Sequence, residues 1–456
     1  MILNRAVKPT PNKNISFELP QIEKFRLQNG LEGLFIQKKK LPIIRLSLIV
    51  NAGSKFDPDN KKGLSNLLAM VIDEGAGKYS ALEISEEFDT LGANFAVNSN
   101  HDKIYLILQT LTENFDKALE LFCTVVTAPH FSDEDFLRQK RKTLTHLLQL
   151  KDDPEEIADT VFSYVLFGEE NPYAFPTSGY DDHIENISVD DIKDHYKRYL
   201  TPDNSTLVVV GDVSVKELIE KLDYHLGWWK PEGLHFKLNF NTKESANQIF
   251  LVDKKDSVQT EIRIGYPSSR RNIEDFFPKL VLNTILGGPF TSRINLNLRE
   301  NKGYTYGASS SFGYLQESGF FIVSTSVGIE NTANAIKEIL DELTKIREGI
   351  TDTELEFAKS FLVRQFPSSF ETYRQISSNL TTMVIHSLPD NYFNTYLENL
   401  QRISIKDVNK AAQENIFAGN LSIVIVGDKE KLLPQLTSSN FGNIISTDYI
   451  GKVTIK

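Results

Sequence analysis

The feature that most restricts the fold is an internal repeat. STLVVVGD at 205–212 recurs as LSIVIVGD at 421–428, and ISVDDI at 187–192 recurs as ISIKDV at 403–408, both displaced by 216 residues. Near the start of each copy, LFIQKKK at 34–40 is echoed by IFLVDKK at 249–255, displaced by 215. Three matches in one order and at one spacing define two copies of a unit of about 215 residues, so the architecture must be built twice. The seam falls at 228–247, where WWKPEGLHFKLNFNTKESAN loses helical periodicity. This predicts an N-terminal domain at 1–230, a linker at 231–247 and a homologous C-terminal domain at 248–456.

Hydrophobic periodicity supplies the elements of each copy. In the first, two apolar strands flank KKKLP within 33–52. A helix follows at 63–75, GLSNLLAMVIDEG, with Leu64, Leu67, Leu68 and Val71 on one stripe and Gly75 suited to its C-cap. A helix at 81–91, a hairpin-like alternation through GANFAVNSNHDKIYLILQTL, a helix at 114–127 and a long helix at 132–151 capped by Ser132 come next. A helix at 189–199 and a strand at 205–211 complete the unit. The second copy reads as strands within 249–265, helices at 277–286 and 290–300, and a hairpin at 304–327. Strands interrupted by pairs of helices predict an α+β fold, in which each of the two domains is a mainly antiparallel sheet with helices on one face.

Charge and cysteine usage narrow the function class. A formal charge of −11 argues against nucleic acid and anionic membrane as partners, because both select basic surfaces. The basic run RQKRK at 138–142 is expected to be a solvated helix face. No uncharged apolar run reaches the roughly 18 residues of a membrane span, and the first twenty residues lack the apolar core of a signal peptide. The expected compartment is therefore the cytoplasm; a periplasmic protein with a trimmed signal would read the same way. The single cysteine, Cys123, lies in the apolar pattern LELFCTVV, which excludes an internal disulfide and a cysteine-based zinc cluster and suggests a buried thiol. A glycine-rich phosphate loop and a Gly-x-Ser-x-Gly elbow are both missing.

Two segments carry a resemblance. The order strand, KLP, strand with NAG, then a G-L-x-x-x-L helix ending in EG, together with LGGPFTSRINLNLRENKGYTYG at 286–307, resembles the pitrilysin-like metallopeptidases, which include insulin-degrading enzymes and the mitochondrial processing peptidase. Active members of that family carry H-x-x-E-H on the helix that here spans 63–75. Two histidines one turn apart bind zinc, the glutamate between them is the general base, and a further glutamate about 76 residues on completes the ligand set. The corresponding residues here are Asn66, Ala69 and Met70, and the count of 76 from Met70 falls on His146. Asn66 offers a weak amide oxygen, Met70 a thioether better suited to copper(I), and Ala69 nothing. The eight histidines contain no pair four or five residues apart. The expectation is that this chain binds no metal and does not hydrolyse peptides by itself.

The resemblance also implies that an arginine and a tyrosine in the C-terminal half, here Arg299 and Tyr306, hold a bound peptide, with Arg299 on a last helical turn ended by Gly303 and Tyr306 opening the next strand. It further implies that LGANFAVN at 91–98 is an edge strand to which a peptide can add, although an ordinary hairpin edge reads equally well. The adjacent Asp73 and Glu74 point apart on their helix and are expected at the surface. The function implied is a catalytically inactive subunit of a zinc peptidase heterodimer, supplying the substrate-holding half of a clamshell chamber while an H-x-x-E-H partner supplies the zinc. The alternative is a structural or peptide-binding scaffold without a protease partner, like the core subunits of respiratory complexes that resemble this family.

Overall fold

The computed structural model describes residues 17–231, 238, 240, 247–271 and 273–454; most of the linker predicted at 231–247 lies outside the described residues. The first sheet comprises β1 (Glu23–Arg26), β2 (Glu32–Gln37), β3 (Ile43–Val50), β4 (Asn94–Ser99), β5 (Ile104–Leu111) and β6 (Ser205–Gly211), in the spatial order β1-β2-β6-β3-β5-β4. The second comprises β7 (Gln248–Asp253), β8 (Gln259–Ser268), β9 (Ala308–Tyr314), β10 (Gly319–Gly328), β11 (Ser422–Gly427) and β12 (Asn443–Thr447), in the order β12-β7-β11-β8-β10-β9. Removing the outermost strands β1 and β12 leaves the same five-strand order twice. The repeated LVVVG and IVIVG strands, β6 and β11, run parallel to β2 and β7, and most other pairs are antiparallel. The outermost strands differ: β1 runs antiparallel to β2, whereas β12 runs parallel to β7.

The helices entering β6 and β11 show how closely the copies match. Val189–Tyr199 begins with a capping box between Ser188 and Asp191, and Ile405–Asn415 begins with the same box between Ser404 and Asp407. In both copies the I-S-x-x-D pattern satisfies the first free N–H groups of a helix.

Each sheet uses both faces. In the second sheet, Ile249, Leu251, Ile423 and Ile425 point toward the helices of their own half, while the alternate residues Phe250, Val252, Val424 and Val426 meet Ile157, Ala158, Val161 and Phe162 of the Pro154–Phe167 helix from the first half. The first sheet mirrors this. Phe35, Leu46, Leu48, Leu207 and Val209 join their own half's helices, and Ile36, Ile49, Val208 and Val210 join the core of the second half. Helix Tyr373–His386 covers that face, with Ser377 Oγ 3.2 Å from Ser47 Oγ of β3. Its first residue, Tyr373, accepts from the Leu41 N–H at 3.0 Å and donates at 2.9 Å to a carbonyl of the KKKLP loop. Each half thus lends one helix to the other.

A buried polar junction adds to this exchange. Asp102, in the β4–β5 turn, pairs with Lys55 at 3.0 Å, accepts the Tyr173 hydroxyl at 2.6 Å and accepts the Gln316 backbone N–H at 3.0 Å. Gln316 sits at the tip of the β9–β10 hairpin, so a turn in the first copy holds a turn in the second. The buried Lys55 charge is thereby matched by the Asp102 carboxylate, which is what burial of charge demands.

Three element expectations need correction. The Leu64–Val71 helix ends with Ile72 at its C-cap, and Gly75 lies three residues further on, with φ +117° and His130 packed where a Cβ would go. The helix before the LGGP turn starts at Ile273, one turn ahead of the predicted 277, and runs through Pro278. The expected helix at 290–300 is a short turn, Arg293–Asn295, followed by a π-helical segment, Leu296–Asn301.

Candidate functional site

The Leu64–Val71 helix has no capping side chain of its own, because residue 63 is a glycine at φ +97°. Asp57 takes over that task. Its carboxyl accepts the N–H groups of Gly63 at 2.8 Å and Ser65 at 2.9 Å, together with the Ser65 hydroxyl, and Ser65 Oγ lies 3.1 Å from His195 Nε2. Serine, aspartate and histidine in contact invite a nucleophilic reading, but Ser65 is fully buried and Asp57 and His195 are each 5 % exposed. The carboxyl touches the serine rather than the imidazole, so it does not orient the ring as a triad requires. Burial pushes Asp57 up to about 7 and His195 down to about 3. This cluster anchors the helix start.

The opposite flank of the helix carries the positions where the resemblance places metal ligands. Asn66 Oδ1 accepts from Ser99 Oγ of β4 at 3.0 Å, its amide nitrogen faces Met70 Sδ at 4.0 Å, and Met70 Sδ faces Thr143 Oγ1 at 3.5 Å. Ala69 is buried. These groups are partnered with one another, and a thioether, an amide and a hydroxyl do not make a zinc donor set. Among the described residues, no group of three His, Cys, Asp or Glu side chains is placed to hold a metal ion.

The long Asp133–Leu150 helix lies against this flank through Phe136, Gln139, Thr143 and Leu147. Its residue abutting Met70 is Thr143. His146, reached by counting along the sequence, is exposed on another face of the helix. The acidic pair differs from expectation too. Glu74 is 17 % exposed and binds Arg138 and Gln139, tying the two helices together, and burial, reinforced by the neighbouring Glu74 charge, pushes Asp73 up to about 6. From the basic run, Lys140 donates to the Glu185 and Ile187 carbonyls at 2.7 and 2.8 Å, whereas Arg141 and Lys142 are exposed. Cys123 is buried, and burial pushes its thiol far above the ordinary range.

In the second half, Arg299 sits on the π-helical segment and Tyr306 in the loop two residues before β9, rather than at the start of the strand. Gly303 turns the chain between them at φ +66°. No hydrogen bond joins the two side chains among the described residues, and Tyr306 is 90 % exposed. The Arg299 guanidinium lies 4.4 Å from the ring centroid of Phe290, and its Nε is 3.5 Å from Glu300 Oε1. Its Nη1 is shielded from solvent with no hydrogen-bond partner. Below this surface, buried Asn295 donates to the Phe290 carbonyl at 2.6 Å and accepts the Ala308 N–H at 3.0 Å, so one side chain holds the LGGP turn against the start of β9. Phe290 and Asn295 were not singled out from the sequence, where an exposed phenylalanine after GGP was the only available signal. LGANFAVN ends in β4, which among the described residues pairs only with β5 and forms an edge of the first sheet beside the Leu64–Val71 helix.

Residues 34–167 match the family profile described as Insulinase (Peptidase family M16), and residues 186–362 match the profile described as Peptidase M16 inactive domain. Among curated proteins, the chain is 25 % identical over 406 residues to Non-peptidase homolog YmxG of Helicobacter pylori, covering 87 % of this chain and 92 % of that one. It is 23 % identical over 415 residues to Uncharacterized zinc protease YmxG of Bacillus subtilis, covering 89 % and 98 %. Among solved structures, it resembles the peptidase M16 inactive domain from Pseudomonas fluorescens, with a TM-score of 0.84 and 25 % identity over 90 % of this chain and 98 % of that one. A protease from Helicobacter pylori shares the fold at a TM-score of 0.82 and 20 % identity, covering 90 % and 100 %. With two M16 profiles together matching residues 34–167 and 186–362, and an M16 structure aligned with 90 % of this chain at a TM-score of 0.84, the chain belongs to peptidase family M16.

Proposed function

We propose that this chain is the non-catalytic subunit of a two-subunit zinc peptidase, in which it supplies the substrate-holding half of a clamshell chamber for unstructured peptides. The observation that carries this reading is the contrast between the two halves. On the Leu64–Val71 helix the two ligand positions are occupied by Asn66 and Met70, which are partnered by each other, Ser99 and Thr143, and the base position by Ala69, whereas Arg299 and Tyr306 stay accessible and under-used. A side chain kept exposed without an internal partner is available to a ligand. The name Non-peptidase homolog, carried by the Helicobacter pylori relative, supports the same reading.

In this role the chain binds no zinc, the partner contributes H-x-x-E-H and the metal, and Arg299 and Tyr306 position the peptide. The domains at 1–230 and 248–456 are then the degenerate and the substrate-holding halves. The test is reconstitution. Purified with an H-x-x-E-H homologue, the chain should form a 1:1 complex with one zinc per complex and cleave an unstructured peptide, while alone it does neither. Stoichiometric zinc and cleavage by the isolated chain would overturn the proposal. Arg299→Ala combined with Tyr306→Phe should lower kcat/KM of the pair by roughly 10- to 1000-fold, as expected when binding energy used for positioning is lost. Full activity with those two residues changed would leave Arg299 and Tyr306 with structural roles only, a helix-end cation and a strand-flanking ring.

A further inference from the structure

The surface around Arg299 specifies more than a peptide. Resting on the reading of Arg299 and Tyr306 as peptide-holding residues, we infer that the platform formed by Phe290, Leu296, Arg299 and Tyr306 recognises the free C-terminal carboxylate of a peptide ending in an apolar or aromatic residue.

The argument starts from the guanidinium. Arg299 is one-third exposed, and its planar head is fixed over the Phe290 ring at 4.4 Å, which restricts the conformations it must give up on binding. Its one ion pair among the described residues is the loose contact at 3.5 Å to Glu300, a neighbouring side chain that is 58 % exposed. Nη1 is shielded from solvent, so a ligand meets the guanidinium by its exposed edge, where a cation gains more from a charge-assisted bond than from a neutral one. An oxygen pair of full negative charge matches the guanidinium fork, whereas a main-chain carbonyl offers one neutral acceptor.

The apolar half of the argument lies beside it. Phe290, 67 % exposed, lies under the arginine head, and Leu296, 40 % exposed, is a second large apolar side chain on the same π-helical segment. Tyr306, 90 % exposed, presents a ring and a hydroxyl donor on the adjoining loop. Apolar surface around one under-satisfied cation is complementary to a chain end that carries its charge next to an apolar side chain. Asn295 makes the platform a built one, because its two hydrogen bonds lock the turn bearing Phe290 to the strand that follows Tyr306. It is a positioning residue for the platform.

The test uses the full chain and fluorescein-labelled octapeptides ending in phenylalanine, either as the free acid or as the C-terminal amide, with glycine-ended peptides in parallel. Fluorescence anisotropy should show the phenylalanine acid binding at least about 10-fold more tightly than its amide and than the glycine acid. Phe290→Ala should remove most of the preference for phenylalanine over glycine, while Phe290→Trp retains it and the melting temperature of both variants stays that of the wild type. Asn295→Ala should weaken the acid-over-amide preference, a ratio that a global loss of stability would not move. Equal binding of acid and amide, with both lost in the Arg299→Ala, Tyr306→Phe variant, overturns the carboxylate inference and leaves the peptide-holding reading standing. Binding untouched by that double variant, or no saturable binding of the phenylalanine acid up to millimolar concentration, overturns both.

Discussion

Around the start of the Leu64–Val71 helix, two buried side chains exchange proton affinity as the chain folds. Asp57 rises from an ordinary carboxylate value to about 7 and His195 falls to about 3, both chiefly because burial disfavours the charged form. At pH 5 the unfolded chain carries an ionised aspartate and a protonated histidine, and the folded chain carries both neutral. The proton count is the same, so this pair makes stability nearly independent of pH between about 4 and 6.5. Separating the partners should expose two opposite slopes. In Asp57→Asn the histidine must shed a proton on folding, so stability rises with pH across that window. In His195→Gln the aspartate must take one up, so stability falls. Urea unfolding at pH 4.5 and 6.0 should show changes of opposite sign on the order of 1–2 kcal/mol in the two variants. At the degenerate metal positions, contact between Thr143 and Met70 leads to a second expectation. Asn66→His, Met70→His and Thr143→Glu together should bind zinc stoichiometrically by elemental analysis, and the same histidines with His146→Glu should not.

At the scale of elements, the Pro154–Phe167 helix is the most instructive. It was passed over in the sequence, although Asp153 caps its start and Pro154, Glu155 and Glu156 occupy its first turn. Its destination was not legible. Ile157, Val161 and Phe162 make an ordinary apolar stripe, and nothing in that stripe says that it packs on the other copy's β8 and β11. Phe162→Ala should cost about 3–5 kcal/mol in denaturant unfolding, because Phe162 is 3 % exposed and packs where a Cβ on Gly265 would collide. The repeat was readable because β6, β11 and the capping boxes before them keep one local pattern in both copies. The π-helical segment carrying Arg299 was not, because Ile294 and Leu298 satisfy α-helical spacing and periodicity does not register one extra residue in a turn. Pro278 misled in the same way, resembling a helix start while lying inside a helix. Asn66, Ala69 and Met70 were found by their place in a pattern. Thr143 was missed because a fixed count along the chain does not register which residue of the Asp133–Leu150 helix faces Met70.

For the whole molecule, the decisive feature is that neither sheet covers both its faces with helices of its own half. A fragment ending near residue 230 would expose Ile36, Ile49, Val208 and Val210 on one side of its sheet, a contiguous apolar surface that a soluble monomer rarely tolerates. Each fragment produced separately, with the cut made within 231–247, should aggregate or show no cooperative thermal transition. Co-expressed, the two should co-purify as a 1:1 complex that melts as one unit. Two independent melting transitions in the uncut chain would contradict this. A single copy of the repeat leaves one face of its sheet bare, and the cover it needs is the helix that a second copy supplies, so one copy is complete only in the company of another.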